Sequence, residues 1–231
     1  MATTTTTSTS ITSEFDLDNY SARYGGYTKV ARLCFIIDKS PELAPSALKL
    51  VLSELKIGSN THEYLRLFEK YTNMIISNEI LMDMEWVNET NRKSADSLER
   101  LESELSAVRT SGVKDSIRMS YNDIGHLQYR FGYFNESIKA YVKTKDLCTL
   151  PRHMADLCVN IMRVNLDCGD LRSVQMYLQR LETVPDMETN VCNILNVTRG
   201  LTDMMDGQYA SAATAFLKVN GSDFNNYPIC A

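Results

Sequence analysis

Three glycines constrain this chain more than any other feature. Gly132, Gly169 and Gly207 stand 37 and then 38 residues apart, and each interrupts apolar spacing of helical period. Ile117, Tyr121, Ile124 and Phe131 precede the first break, and Ile138, Tyr141, Val142 and Lys145 follow it. Met154, Leu157, Cys158 and Ile161 lead to the second break, with Leu171, Val174, Leu178 and Leu181 after it. Val191, Ile194, Leu195 and Leu201 approach the third, and Tyr209, Ala212, Ala213, Phe216 and Leu217 come next. The unit is therefore helix, tight turn, helix, repeated three times over residues 113–219. One helical hairpin cannot bury both of its faces, so such units stack and share a continuous core.

This pattern predicts an all-α fold, a degenerate tetratricopeptide-like solenoid, with an irregular helix bundle as the competing architecture. Small residues are needed where the two helices of a hairpin approach closely. Gly125 and Gly200 each lie seven residues before a break, and Ser137 and Ala212 five after. Tyr141 and Phe216, nine after, are expected to plug the space between hairpins. The middle copy is divergent, with Met162, Val174 and Leu178 at the corresponding places.

Upstream, residues 14–112 read as a helical lead-in. Helices are expected over Thr28–Asp38, around Ala47–Leu55 with a stop at Gly58, and through Tyr64–Ile75 behind a capping pair, Asn60 and Glu63. A long helix is expected at about 80–109. Its narrow stripe of Leu98, Leu101, Leu105 and Val108 suits a helix lying across a surface or partly projecting. Trp86, the single tryptophan, is expected to pack in the core. Residues 1–13, rich in Thr and Ser, read as a disordered tail without the basic and apolar regions of a signal peptide. Residues 220–231 read as an uncapped or truncated end.

Composition then limits function. With 24 Lys+Arg against 29 Asp+Glu the chain is net acidic, a poor basis for nucleic-acid binding. No apolar run reaches membrane-spanning length. Six cysteines without a C-x-x-C pair are expected to be thiols of a reducing compartment, buried where Cys148, Cys158 and Cys168 adjoin apolar helical faces. The implied location is cytoplasm and nucleus. His62, His126 and His153 share no ligand spacing, and no phosphate-binding glycine loop or nucleophile elbow occurs, so no catalytic residue, cofactor or metal is assigned. Cys148 and His153, five apart, are the one conceivable thiolate–imidazolium pair. They read more simply as a structural thiol and a surface histidine. Asn122-Asp123 beside His126 is expected to cap and bridge hairpins, and Asp203 and Asp206 to face solvent. Met204 and Met205, near a turn, could form an adaptable contact surface. A motif-free acidic helical repeat points to protein binding.

Several segments also resemble a known family. Phe15-Asp16-Leu17-Asp18-Asn19-Tyr20, Tyr24-Gly25, Arg32-Leu33-Cys34-Phe35-Ile36, Ser116 through Gly125 and Tyr141 through Thr149 are similar to COP9 signalosome subunit 1. The resemblance runs from about Phe15 to Val219. The sister family, subunit seven of the proteasome regulatory lid, shares looser versions of these motifs. The resemblance implies a non-catalytic scaffold. Its partners would be other signalosome subunits and components of cullin–RING ubiquitin ligases, from which that complex removes a ubiquitin-like modifier. The complex's metal-dependent centre lies in a different subunit. In the family the repeat arm precedes a winged-helix PCI module, which this sequence is expected to lack.

Overall fold

The computed structural model describes residues 15–77 and 79–219, and the expected tail at 1–13 and end at 220–231 lie outside them. Twelve α-helices and one 3-10 turn, Lys145–Leu147, make up the described chain, with no strand among those residues. In order the helices are α1 Leu17–Ser21, α2 Gly26–Lys39, α3 Ala44–Gly58, α4 Thr61–Lys70, α5 Thr72–Ser77, α6 Met84–Ser111, α7 Lys114–Arg130, α8 Phe134–Val142, α9 Pro151–Cys168, α10 Leu171–Glu182, α11 Thr189–Met205 and α12 Tyr209–Phe216.

The last six helices pair as α7 with α8, α9 with α10 and α11 with α12, and α8 packs on α9 as α10 packs on α11. This is the stacked-hairpin solenoid that the glycine spacing implies. Gly132, Gly169 and Gly207 each adopt a left-handed backbone, with φ of 83°, 74° and 76°. All three turns close with the same pair of bonds. The amides of Gly132, Gly169 and Gly207 donate to the carbonyls of Tyr129, Leu166 and Met204. The next amides, of Tyr133, Asp170 and Gln208, donate to Gln128, Asn165 and Asp203. This double closure satisfies carbonyls that the helix end would otherwise leave unpaired, and its left-handed residue carries no Cβ penalty when it is glycine.

Within the first hairpin, Gly125 faces the ring of Tyr141. A Cβ added at Gly125 would come within 2.5 Å of that ring. The Ser137 hydroxyl donates to the Gly125 carbonyl at 2.8 Å in the same fully buried crossing. Tyr141 also meets Leu157, Ile161 and Val164 of α9, so one side chain fills both the crossing and the seam to the next hairpin. In the third hairpin Phe216 covers Gly200 in the same way, although Phe216 itself is only half-buried. In the divergent middle hairpin, Met162, Val174 and Leu178 are buried in one cluster with Ala155, Cys158 and Leu195.

The lead-in has its own core. Leu33, Ile37, Leu48, Val51, Leu55, Tyr64 and Leu67 are its buried centre, and Val87 from α6 joins it. Trp86 is half-buried and stands edge-on to Tyr64 with ring centroids 5.0 Å apart. At 28 residues, α6 spans roughly 42 Å at 1.5 Å per residue. Its far half lays Leu98, Leu101 and Leu105 against Tyr121, Ile124 and Ala140. It therefore lies on the first hairpin rather than projecting from it.

Several sequence expectations shift. The left-handed stop of α3 is Ser59, at φ 60°, one residue beyond Gly58. Ser59 and Asn60 close α3 by the pair of bonds seen at the three glycine turns. Asn60 caps α4 by accepting from the Glu63 amide at 3.0 Å, as its spacing implies. The helix expected through Tyr64–Ile75 breaks at Tyr71 into α4 and α5. After Val142 the chain tightens into the 3-10 turn, so Lys145 leaves the α8 face. Helix α1, capped by Asp16 onto the Asn19 amide, has no counterpart in the sequence reading, because five residues are too few to show a period.

Replacing Gly125 by Ala should lower stability in thermal melts by about 1–3 kcal/mol, because the roughly 1 kcal/mol gained in helix propensity is outweighed by overlap with a ring that cannot move. Among the break glycines, Gly169→Ala and Gly207→Ala should each cost about 1–2 kcal/mol from backbone strain alone. Gly132→Ala should cost more, since its Cβ would also fall 2.5 Å from the Asn60 amide.

Candidate functional site

Gly132 introduces the site, because the contact with Asn60 brings the lead-in against the first hairpin turn. Tyr27, in the first turn of α2, completes the junction. Its hydroxyl donates to the Tyr129 carbonyl at 2.8 Å, and its ring packs edge-on to Phe134 at 4.9 Å and tilted against Tyr129 at 5.3 Å. Behind this aromatic group opens a groove of about 650 Å³. Helices α2 and α3 form one wall, with Val30 and Leu55. Helices α7, α9 and α11 supply the other, with Tyr129, Arg163, Leu166 and Leu201.

The polar groups of the groove are unevenly satisfied. Glu54 holds Lys29 at 2.9 Å and accepts from the Gly26 amide at 3.3 Å. The Tyr129 hydroxyl donates to Asp167 Oδ2 at 2.5 Å. Burial pushes the Asp167 carboxyl above its ordinary range, and the Tyr129 hydrogen bond and the Arg163 charge pull the other way. Burial and the Asp167 charge together push the Tyr27 and Tyr129 phenols upward, so both remain neutral donors. Arg163 is half-buried, its Nε is fully enclosed, and its guanidinium has no hydrogen bond or ion pair among the described residues.

The other residues singled out by sequence fall elsewhere. Gly125, Ser137, Tyr141, Gly200 and Phe216 lie at the two hairpin crossings, and Ala212 is buried on α12. Tyr121 and Ile124 face α6, and Gly169 and Gly207 sit in open turns. None of them lines the groove. Cys148 is half-buried and donates its thiol to the Thr144 carbonyl at 3.3 Å, and burial raises its pKa. His153 is buried, not on the surface as its polarity suggested. Its Nδ1 faces the Thr149 amide at 3.4 Å and its Nε2 lies 3.6 Å from Asp115. Burial lowers its pKa. The thiol and the imidazole are each directed at other groups, and burial favours the neutral form of both, which is not the arrangement of an activated nucleophile.

Of the other cysteines described, Cys158 is buried, Cys34 and Cys192 are half-buried, and Cys168 is exposed, contrary to the expectation of burial for all three helical thiols. Asn122 does not bridge hairpins, since its Oδ1 is buried without a partner. Asp203 and Asp206 accept from Ser211 and Gln175, each at 2.6 Å. Among the described residues no group of His, Cys, Asp or Glu converges to hold a metal ion, and no helix is long and apolar enough to cross a membrane.

The family model for 26S proteasome subunit RPN7 matches residues 83–231, from the cap of α6 onward. The chain belongs to this family. Among curated relatives, the RPN7-family chain is 33% identical over 216 residues to COP9 signalosome complex subunit 1 of Arabidopsis thaliana, covering 92% of this chain and 49% of that protein. It is 31% identical over 219 residues to the same subunit of Emericella nidulans, covering 92% and 44%. With the Schizosaccharomyces pombe subunit it shares 26% over 205 residues, covering 88% and 48%. The resemblance read from the motif blocks is therefore shown. The chain spans about half the length of the curated relatives it matches. A solved structure, BtubC from P. vanneervenii, aligns over 85% of each chain with 12% identity and a TM-score of 0.41, too loosely to inform the fold.

Replacing Asp167 by Asn isolates the buried carboxyl. With its folded pKa raised, the folded state holds a proton that the unfolded state releases, so Asp167 lowers stability as pH rises through that interval. The wild-type melting temperature should therefore fall relative to that of D167N as pH rises above the ordinary aspartate range. Parallel curves would show that Asp167 titrates as it does in the unfolded chain.

Proposed function

We propose that this RPN7-family chain is a non-catalytic scaffold subunit of the COP9 signalosome, or the repeat part of one. It binds other subunits of that complex through the surface of its stacked hairpins. The observation that carries this reading is the similarity to signalosome subunit 1 across 92% of the chain. The architecture supports it, because a solenoid offers an extended surface without a buried reactive centre. The unactivated state of Cys148 and His153 agrees with a non-catalytic role. On this reading the chain acts in deneddylation of cullin–RING ligases only by holding components in place, and it works in cytoplasm and nucleus. We divide it into a tail at 1–13, a helical lead-in at 14–112 and three hairpins at 113–219. The terminal segment 220–231 is left unassigned. Tyr121, Ile124, Gly125, Gly132, Ser137, Tyr141, Gly169, Gly200, Gly207, Ala212 and Phe216 then serve to build the stack and not to contact ligands.

The match to the RPN7 model favours a second reading, a scaffold subunit of the proteasome regulatory lid. Affinity purification of the tagged chain from cells separates the two. Signalosome subunits should be recovered with it at near-equal amounts. Recovery with 26S particles would support the lid reading, and recovery with neither, while both complexes are intact, would overturn both.

A further inference from the structure

The link between α5 and α6 is anchored at both ends. Helix α5 closes with the pair of backbone bonds seen at the three glycine turns. The Glu79 amide donates to the Ile76 carbonyl at 3.3 Å, and the Ile80 amide to the Ile75 carbonyl at 3.1 Å. Here the left-handed residue is Glu79, at φ 52°, so its Cβ strains a position that glycine would occupy freely. The other end is fixed at Asp83. Its amide donates to the Tyr64 hydroxyl at 3.2 Å, and its carboxylate accepts from the Trp86 amide at 3.0 Å and holds Lys56 at 2.5 Å. Ile75 and Tyr64 are buried in the lead-in core, so both anchors are tied to it.

What the anchors present is apolar. Leu81 is 88% exposed, Ile76 69%, and Met82 and Met84 44% and 46%. Left-handed residues other than glycine persist only where the surrounding structure fixes them, and they gather at sites that bind. Clustered exposed apolar side chains are likewise a mark of an interaction site. Holding such a segment in one conformation lowers the ordering cost of entering a pocket, and flexible methionines beside it adapt to the pocket's walls.

Charge defines the pocket. Between Tyr71 and Asn91 the sequence carries Glu79, Asp83, Glu85 and Glu89 and no Lys or Arg. Lys56 reaches in to Asp83 and Lys93 reaches back to Glu89. Glu79 and Glu85 are exposed and make no ion pair among the described residues. Two uncompensated carboxylates therefore flank the apolar side chains. They repel anionic lipid, nucleic-acid phosphates and a second copy presenting the same segment.

We propose that the segment from Glu79 to Glu85 docks into an apolar pocket of a partner protein whose rim carries Lys or Arg. Leu81 enters the pocket, Met82 and Ile76 meet its walls, and Glu79 and Glu85 face the basic rim. The proposal rests on the scaffold reading and gives one of its contacts a place and a chemistry.

The test introduces p-benzoyl-phenylalanine in place of Met82 in the whole tagged chain, with Met176 of α10, 58% exposed, as the control position. After irradiation in cells, mass spectrometry should join position 82 to an apolar stretch of another protein with Lys or Arg beside it, an adduct that position 176 does not give. Leu81→Ser combined with Met82→Ser should cut recovery of that protein at least about tenfold. Glu79→Gln combined with Glu85→Gln should cut it by about threefold, a difference that high salt removes. Melting curves of both pairs should overlay that of the wild type. Should the serine pair fail to fold, the glutamine pair and the cross-link carry the comparison. Adducts only between copies of this chain, the same adducts from both positions, an adduct on an acidic surface, or recovery unchanged by both pairs would each overturn the proposal. Signalosome subunits recovered with the wild-type chain but without an adduct at position 82 remove this contact and leave the scaffold reading. The expected adduct without any signalosome subunit recovered removes the scaffold reading and leaves the contact.

Discussion

Tyr141 resting on Gly125 is the contact on which the repeat stack depends. Two helices cross closely only where one of them lacks a side chain, and the space so vacated must be filled by its partner. The Tyr141 ring does this inside the first hairpin and reaches on to Leu157, Ile161 and Val164 of the second. The same side chain thus sets the spacing within a hairpin and the spacing between hairpins. Its hydroxyl, 2.8 Å from His126 Nδ1, keeps its polar end bonded at the edge of the crossing. The Ser137 bond to the Gly125 carbonyl ties the backbone of one helix to the other. The third hairpin repeats the arrangement with Phe216 and Gly200, while the second places Met162 where glycine stood and Leu178 where the aromatic stood, two side chains of similar size. The middle crossing is thus filled from both helices instead of from one.

The turns made the repeat legible, and the exchange of residues at the second crossing made its middle copy faint. Glycine at a left-handed turn leaves a mark in sequence, since few other residues sit there without strain. Three such marks at near-constant spacing located all three hairpins. The closure of α3 uses the same two backbone bonds but places Ser59 at the left-handed position, so the neighbouring Gly58 drew the eye one residue early. Burial of His153 was illegible for a different reason. Its polarity suggested surface, but α9 turns it inward beside Asp115 and Arg118, and Arg118 itself is buried and bonded to Asp115 at 2.8 Å. A polar residue on an inward face is visible only when its neighbours from other elements are known.

The groove was missed for a related reason. Arg163, within an amphipathic helix, reads as one more solvated charge, and Tyr27 lies a hundred residues from the carbonyl it bonds. Nothing along the chain joins them. Reading down the repeat instead of along it, however, sets His126, Arg163 and Leu201 in register, and a position that changes from polar to charged to apolar in successive units does not belong to a shared core. Core positions of the repeat stay apolar or small, whereas groove positions keep only their direction.

Direction is enough for a scaffold. The helices α7, α9 and α11 end in turns at Gly132, Gly169 and Gly207 that close with the same pair of bonds, so equivalent positions on them stand at the same distance from each turn. Side chains at those positions differ from one hairpin to the next while the turns stay the same. The lead-in adds a second wall that a bare solenoid lacks. It is fixed there by Asn60 against Gly132 and by the Tyr27 hydroxyl on the Tyr129 carbonyl, two contacts made to backbone or to a residue without a side chain. The wall's position therefore follows from the first hairpin turn itself, and the residues that face into the groove remain free to be set by what they bind.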